Sequence, residues 1–352
     1  MKRIVTIAAL TLLAICAVAQ NRTYVIGFYN LENLFDIYDD PAKNDQEYLP
    51  DGANHWTQAK YEKKLANMAH VIRAMKEENG RYHTILGVSE IENRMVLEDL
   101  VAQPEIADAN YQIVHYDGPD RRGVDVALLY KPEQFKFLDS ESIPFTFEGS
   151  DIDFSDIDTD YFRTRDILMV HGTIAGEHFA IYVMHLPSRV GGKGGNLRSR
   201  GAEIAYNHSL RMMEKYPGIK IVAMGDMNDD PFDESISIYY HGREHIEDVG
   251  DYDYFNPFYS MVHDGLGSLC YQGQWSIYDQ IIVNHELAFA PNGGLKIMHI
   301  NKNYYGRVFK KRFMVTKEGQ YKGYPLRTFS NGAFINGYSD HFPTYIVISK
   351  EQ

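Results

Sequence analysis

Gly337-Tyr338-Ser339-Asp340-His341-Phe342-Pro343 stands directly before a short apolar run, Thr344 to Ile348, that reads as a strand. An acid beside an imidazole at a strand start is by itself a weak signal. Reading outward toward the N-terminus, Ile277-Tyr278-Asp279-Gln280-Ile281-Ile282-Val283 places a carboxylate inside an otherwise apolar strand. An isolated buried charge is costly, so Asp279 needs a partner. His341 would serve, and a carboxylate–histidine pair fixes the imidazole tautomer and raises its basicity.

Other polar residues sit where apolar runs end. Asn30 follows Tyr24–Tyr29, Glu90 follows Ile85-Leu86-Gly87-Val88-Ser89, His185 ends Ile181-Tyr182-Val183-Met184, and Asp226 and Asn228 follow Ile221-Val222-Ala223-Met224-Gly225. A lone carboxylate at a strand end is usually a turn or cap residue. Five such positions, all oxygen donors or imidazoles, describe one polar cleft if a sheet brings the strand ends together. Further strands are read at Thr84–Ser89, Tyr111–Tyr116, Val124–Tyr130, Ile167–Ile174, Phe179–His185 and Lys220–Met224. Thr57 can cap a helix reaching about Glu78, with Leu65, Met68, Ala69, Ile72 and Met75 on one face. A second helix is read from Leu197 to Lys215. Many strands with few helices predict an α+β protein, two packed sheets with helices outside.

The ordered set Asn30, Glu90, His185, Gly225-Asp226-Met227-Asn228, Tyr278-Asp279 and Ser339-Asp340-His341-Phe342-Pro343 resembles the endonuclease/exonuclease/phosphatase superfamily. The resemblance spans nearly all of the chain after residue 19. It implies a four-layer α/β/β/α sandwich of mainly antiparallel sheets, with the active site at one edge. By resemblance, Glu90 is the principal Mg²⁺ (or Mn²⁺) ligand, with Asn30 and Asp340 close to the metal. Asp226 and Asn228 handle the attacking water and the scissile phosphate. His185 binds a phosphate oxygen or protonates the leaving group, and His341, held by Asp279, is the base or a phosphate ligand. Arg165 resembles a phosphate-contacting position, and Asp125, in Arg122-Gly123-Val124-Asp125-Val126, aligns with a group that orients His185. Ser89 stands where the family often has Gln before the metal-binding Glu.

The residue types suit that chemistry. A phosphodiester repels anionic nucleophiles, so a metal must neutralise charge and orient water. Mg²⁺ prefers a few carboxylate or amide oxygens plus waters. No Cys/His cage of a structural zinc site, no GxGxxG and no Walker lysine motif occurs. The alternating acids Asp151, Asp153, Asp156, Asp158 and Asp160 lack the Gly and terminal Glu of an EF-hand and read as a solvated loop.

Lys2 and Arg3, the apolar run Ile4–Val18 and Ala17-Val18-Ala19 read as a signal peptide over residues 1–19, removed near Ala19. A transmembrane anchor is the alternative, but the run is short for a bilayer. Bulky Ile15 before Cys16 argues against lipoprotein processing. The expectation is export to the periplasm or medium, with residues 20–352 forming one catalytic domain, monomeric and without stable membrane insertion. Cleavage leaves Cys270 as the one cysteine, so no intrachain disulfide is possible. It leaves 33 basic against 48 acidic residues, a net charge of −15. Such a chain is a poor general binder of long nucleic acid, because polyanion affinity comes mainly from Lys and Arg at phosphates.

Two local excesses of positive charge are candidates for substrate contact. The loop from Arg189 to Arg200 carries Arg189, Lys193, Arg198 and Arg200 among glycines that let backbone N–H groups approach an anion. The alternative is a surface loop leading into a basic helix start. Lys302–Arg327 holds eight basic residues against Glu318, interleaved with aromatics. Phosphate clamping with base stacking and a plain surface hairpin are both consistent with it. These features favour a phosphodiesterase or nuclease, with a short or single-stranded phosphodiester or a compact phosphorylated small molecule preferred over long duplex DNA. The alternatives are a phosphomonoesterase or phospholipase-type enzyme on inositol phosphates or lipid head groups, and an inactive binding protein on the same scaffold.

Overall fold

The computed structural model describes residues 23–189 and 194–350. The proposed signal peptide and Lys193 lie outside the described residues. Among the described residues the strands are β1 (Tyr24–Leu34), β2 (Ile85–Ile91), β3 (Gln112–His115), β4 (Asp125–Tyr130), β5 (Phe135–Ile143), β6 (Ile167–Ile174), β7 (Glu177–His185), β8 (Lys220–Asp226), β9 (Gly242–Arg243), β10 (Tyr254–Phe255), β11 (Leu269–Tyr271), β12 (Gln274–Ser276), β13 (Asp279–Asn284), β14 (Leu295–Met298), β15 (Gly306–Val308), β16 (Phe329–Ser330), β17 (Ala333–Phe334) and β18 (Thr344–Lys350). The helices are α1 (Gln58–Asn79), α2 (Arg94–Val101), α3 (Gly195–Lys215), α4 (Tyr259–His263) and α5 (His285–Phe289).

Two seven-stranded sheets carry the fold. One runs β14-β18-β1-β2-β4-β3, with β15 also on β18, and the other runs β5-β6-β7-β8-β13-β10-β9. Pairing is mainly antiparallel; β1–β2, β7–β8 and β9–β10 are parallel. Strand alternation divides the apolar residues cleanly. Ile26 and Phe28 of β1 meet Val222 and Met224 of β8 in the core between the sheets. Val25 and Tyr29 point the other way and pack with Leu65, Met68 and Ile72 of α1. Ile221 and Ala223 pack outward with Ala202, Ala205 and Met212 of α3. The result is the expected α/β/β/α sandwich.

Close approach explains two glycines. A Cβ on Gly87 would lie 2.5 Å from Met224 Sδ, and one on Gly225 would lie 2.1 Å from the Met184 carbonyl oxygen. The first lets the sheets meet, and the second lets β7 and β8 run side by side just before their functional ends. Helix α1 follows Thr57 as read, although the Thr57 side chain makes no capping bond, and ends at Gly80 in the left-handed region. Strand β1 runs past Tyr29 to Leu34 through a register shift between Asn30 and Leu34, and β2 carries a matching shift between Ser89 and Ile91.

Candidate active site

Strand register lines up the functional side chains. His185 at the end of β7 is the partner of Asp226 at the end of β8, and Asp226 is the partner of Asp279 at the start of β13. From the other sheet, Asn30 of β1 pairs with Ser89 of β2, one residue before Glu90. Glu90 and Asn228 both adopt left-handed backbone, with φ of 58° and 51°. Such conformations are costly for Glu and concentrate at functional sites.

Asn30 Nδ2 donates to Glu90 Oε1 at 3.2 Å and to Asp226 Oδ2 at 2.9 Å. Asn30 Oδ1 is turned away and accepts from the Glu32 backbone N–H at 2.8 Å. Asn30 therefore ties the two carboxylates together at the centre of the site. Glu90 Oε2 accepts from Asn33 N–H at 3.0 Å, which fixes the carboxylate. His185 Nε2 lies 3.7 Å from both Glu90 Oε1 and Asp226 Oδ2. One ligand atom each from Glu90, His185 and Asp226 falls within 4.8 Å of the others, and Asp226, Asp279 and His341 form a second such group.

This donor set fits a hard divalent cation. Two carboxylates converge at a mostly buried site, and the residues that meet their facing oxygens are an amide and imidazoles. Like charges this close need a counter-charge. Asp340 is outside both groups: Arg327 Nη2 donates to its Oδ2 at 3.0 Å, and its Oδ1 is 4.0 Å from His341 Nε2. It stands at the rim of the site, paired with Arg327 and facing His341.

His341 Nδ1 is 2.7 Å from Asp279 Oδ2, the pairing expected from sequence. Burial opposes a charge on His341, yet the Asp279 and Asp226 carboxylates and the hydrogen bond to Asp279 outweigh it and raise its pKa well above the usual imidazole range. His185 is pushed the opposite way, by burial first and then by the charges of Arg165, Arg122 and His341. Burial also raises Asp226 above the usual carboxylate range; His341 opposes this shift and Asp279 adds to it. Asp226 Oδ1 accepts from Asn228 N–H at 3.0 Å, while Asn228 Nδ2 donates to the Leu186 carbonyl at 3.0 Å.

Three further residues read from the sequence have partners within the fold. Arg165 spends its guanidinium on the His185 and Leu186 carbonyls and on Asp120, at 2.8–3.0 Å, and is buried. It holds the end of β7 in place. Asp125 begins β4 beside His115 Nε2 at 3.4 Å and accepts from Gly118 N–H, so it does not orient His185. His185 Nδ1 is buried without a partner among the described residues. Arg189 is already compensated by Asp229 and Asp233, at 3.3 and 3.2 Å.

Sequence reasoning passed over Arg122 and the group around Glu32. Arg122 acts electrostatically on His185 while its side chain stays 51% exposed. The doublet Arg121-Arg122 before β4 was the available signal. Buried Glu32 accepts from Thr328 N–H and Oγ1 and from Arg327 Nε, and buried Lys64 Nζ lies 3.6 Å from it. This network anchors Arg327 beside Asp340. Its members are far apart in sequence, and no local motif announced them.

The chain belongs to the Endonuclease/Exonuclease/phosphatase family, whose model matches residues 25–350. Members of that family are divalent-metal-dependent phosphoester hydrolases. Among solved structures, an endonuclease/exonuclease/phosphatase family protein from Bacteroides thetaiotaomicron shares the fold at a TM-score of 0.53 and 14% identity, covering 95% of this chain and 100% of that one. TDP2 from D. rerio, solved with a single-strand DNA product, aligns at a TM-score of 0.51 and 13% identity over 93% of this chain and 98% of that one. Truncated TDP2 from Caenorhabditis elegans gives a TM-score of 0.51 at 14% identity, over 94% and 98% of the two chains. No curated protein sequence matches the chain. Among the described residues, no helix is long and apolar enough to cross a membrane.

Proposed function

We propose that the chain is an exported phosphodiesterase that uses Mg²⁺ or Mn²⁺ to hydrolyse short or single-stranded nucleic acid. The observation that carries this reading is the in-register row His185, Asp226, Asp279, joined by Glu90 from the facing sheet and closed by His341. Glu90 would hold the metal, which supplies charge neutralisation at the phosphate and lowers the pKa of water. Asp226, held by Asn30 Nδ2 and by the Asn228 N–H, would accept the proton of the attacking water. Asn228 keeps the Asp226 carboxylate oriented through its backbone N–H. Protonated His341, stabilised by Asp279, donates to a non-bridging phosphate oxygen. His185 is held neutral and acts as a hydrogen-bond partner of the phosphate. Arg122, half exposed and 3.8 Å from Asp120, adds positive potential at His185.

The D. rerio TDP2 complex supports a single-stranded product through the shared fold. The acidic balance of the chain supports short substrates over long duplexes, and its N-terminal segment supports export. The test is a metal-supplemented screen of purified protein against DNA, RNA, bis-p-nitrophenyl phosphate and inositol phosphates. Metal-dependent diester hydrolysis with short or single-stranded DNA or RNA preferred is expected. Selective turnover of inositol phosphates would overturn the proposal.

A further inference from the structure

A cavity of about 720 Å³ opens beside the catalytic cleft, and Arg327 and Asp340 are part of its lining. Asp340 Oδ1 stands 4.0 Å from His341 Nε2, so the cavity and the catalytic groups share a wall. The other walls come from the β11–β12 hairpin and from chain between residues 316 and 335. These segments supply none of the metal-binding or proton-handling groups. The volume falls within the range of about 300–1,000 Å³ usual for small-ligand sites.

The lining is aromatic and carries amides: Tyr271, Tyr321 and Tyr324 with Gln272 and Gln320. Tyr271 is 71% and Tyr321 41% exposed, so large ring surfaces are left open to solvent. The hairpin that presents Tyr271 is nonetheless fixed. Trp275 stacks on Phe342 at 6.2 Å and 13°, Lys310 lies 4.3 Å over Trp275, and Phe342 N–H donates to the Ser268 carbonyl at 2.7 Å. Phe342 follows His341 directly, so the platform is tied to the catalytic imidazole. At the junction Arg327 carries a guanidinium that is half exposed.

We propose that this cavity is the subsite for a nucleobase attached to the phosphoester being cleaved. The base stacks on Tyr271 and Tyr321, Gln272 and Gln320 offer hydrogen bonds to its edge, and Arg327 faces the adjoining phosphate. The proposal rests on the phosphodiesterase reading and narrows it to substrates bearing planar heteroaromatic rings. Stacking of a base on an aromatic side chain is sequence-tolerant, because every base has a π-face, and its loss weakens binding by roughly tenfold or more. An inositol ring or a lipid head group lacks such a face.

The experiment compares a thymidine tetranucleotide with an abasic tetramer of the same charge, both with Mn²⁺ and chromatographic detection. The parent should show a KM about tenfold lower for the thymidine substrate. Tyr271→Ala with Tyr321→Ala should erase that preference by raising KM for the thymidine substrate to that of the abasic one, and Tyr271→Phe with Tyr321→Phe should restore it. An unchanged preference in the double alanine variant would overturn the subsite. Direct titration of thymidine 5′-monophosphate against inorganic phosphate separates the two ideas. If neither tetramer is cleaved, yet the nucleotide binds about tenfold tighter than phosphate and the alanine variant loses that margin, the catalytic reading fails and the subsite stands. Equal binding of nucleotide and phosphate by the parent would overturn the subsite itself.

Discussion

Asp226 and Asp279 are partners in register across the antiparallel strands β8 and β13, and His341 bridges them, 2.7 Å from Asp279 and 3.9 Å from Asp226. Two buried acids side by side favour a proton on the ring between them. The pair Asp279–His341 should therefore act as a unit, and losses within such a unit are strongly non-additive. His341→Ala should lower kcat by about 10²–10⁴-fold, and adding Asp279→Asn should make little further difference. The pH profile carries the sign. Asp279 raises the His341 pKa, so the alkaline limb of kcat/KM reports loss of the His341 proton, and Asp279→Asn should move that limb to lower pH. Multiplicative losses, or a limb that stays put, would separate the two residues.

Lys310, Lys311 and Arg312 now read differently from the phosphate clamp that charge alone suggested. Lys311 Nζ is 2.5 Å from Glu78, which also holds Arg307, and Lys310 is spent on the Trp275 ring. Replacing all three with alanine should lower the melting temperature by a few degrees, on the order of 1–2 kcal/mol from one ion pair and one cation–π contact. The salt dependence of KM should stay as in the parent. A flattened salt slope would return these residues to the substrate.

How far the sequence could be read follows from the range of each signal. Strands carrying the catalytic ends were legible because both of their faces are buried, which makes them nearly continuous apolar runs, as in Ile221-Val222-Ala223-Met224. Strand β5, Phe-Lys-Phe-Leu-Asp-Ser-Glu-Ser-Ile, went unread because it is a sheet edge with mostly exposed side chains. The Asp279–His341 pair was legible because a carboxylate in an apolar strand demands a partner. The true partners of Arg165 and Asp125, namely Asp120 and His115, were not, since spacing along the chain says nothing about which of several acids and bases a fold brings together. Asn30 shows the finest limit: the end of a strand marks its place, but nothing in the local sequence shows that it meets both Glu90 and Asp226.

His83 offers a stability test away from the site. It is fully buried, both ring nitrogens lack a partner among the described residues, and burial pushes its pKa down to about 3. The native ring stays neutral while the unfolded chain takes up a proton below about pH 6.5. Its contribution to stability is therefore intact at neutral pH and is lost as pH falls toward 3, by roughly 1.4 kcal/mol per pH unit at most. His83→Leu should remove this dependence. Relative to the parent, the variant should gain stability at pH 4 compared with pH 7.5, measured by urea unfolding. An equal difference at both pH values would mean that His83 does not titrate in this way.

The most direct test of the account addresses Glu90, because the whole site is read as a metal-dependent one. The measurement is hydrolysis of bis-p-nitrophenyl phosphate by the parent and by Glu90→Gln, each with Mn²⁺ and with excess chelator, alongside thermal unfolding with and without the ion. Glutamine keeps the acceptor oxygen for Asn33 N–H, removes the charge and gives up the acceptor that meets Asn30 Nδ2. The predicted result is turnover that requires the ion, a fall of about 10²-fold or more in Glu90→Gln, and a metal-induced rise in melting temperature that the variant loses. Full turnover in chelator, or in Glu90→Gln, would contradict the account.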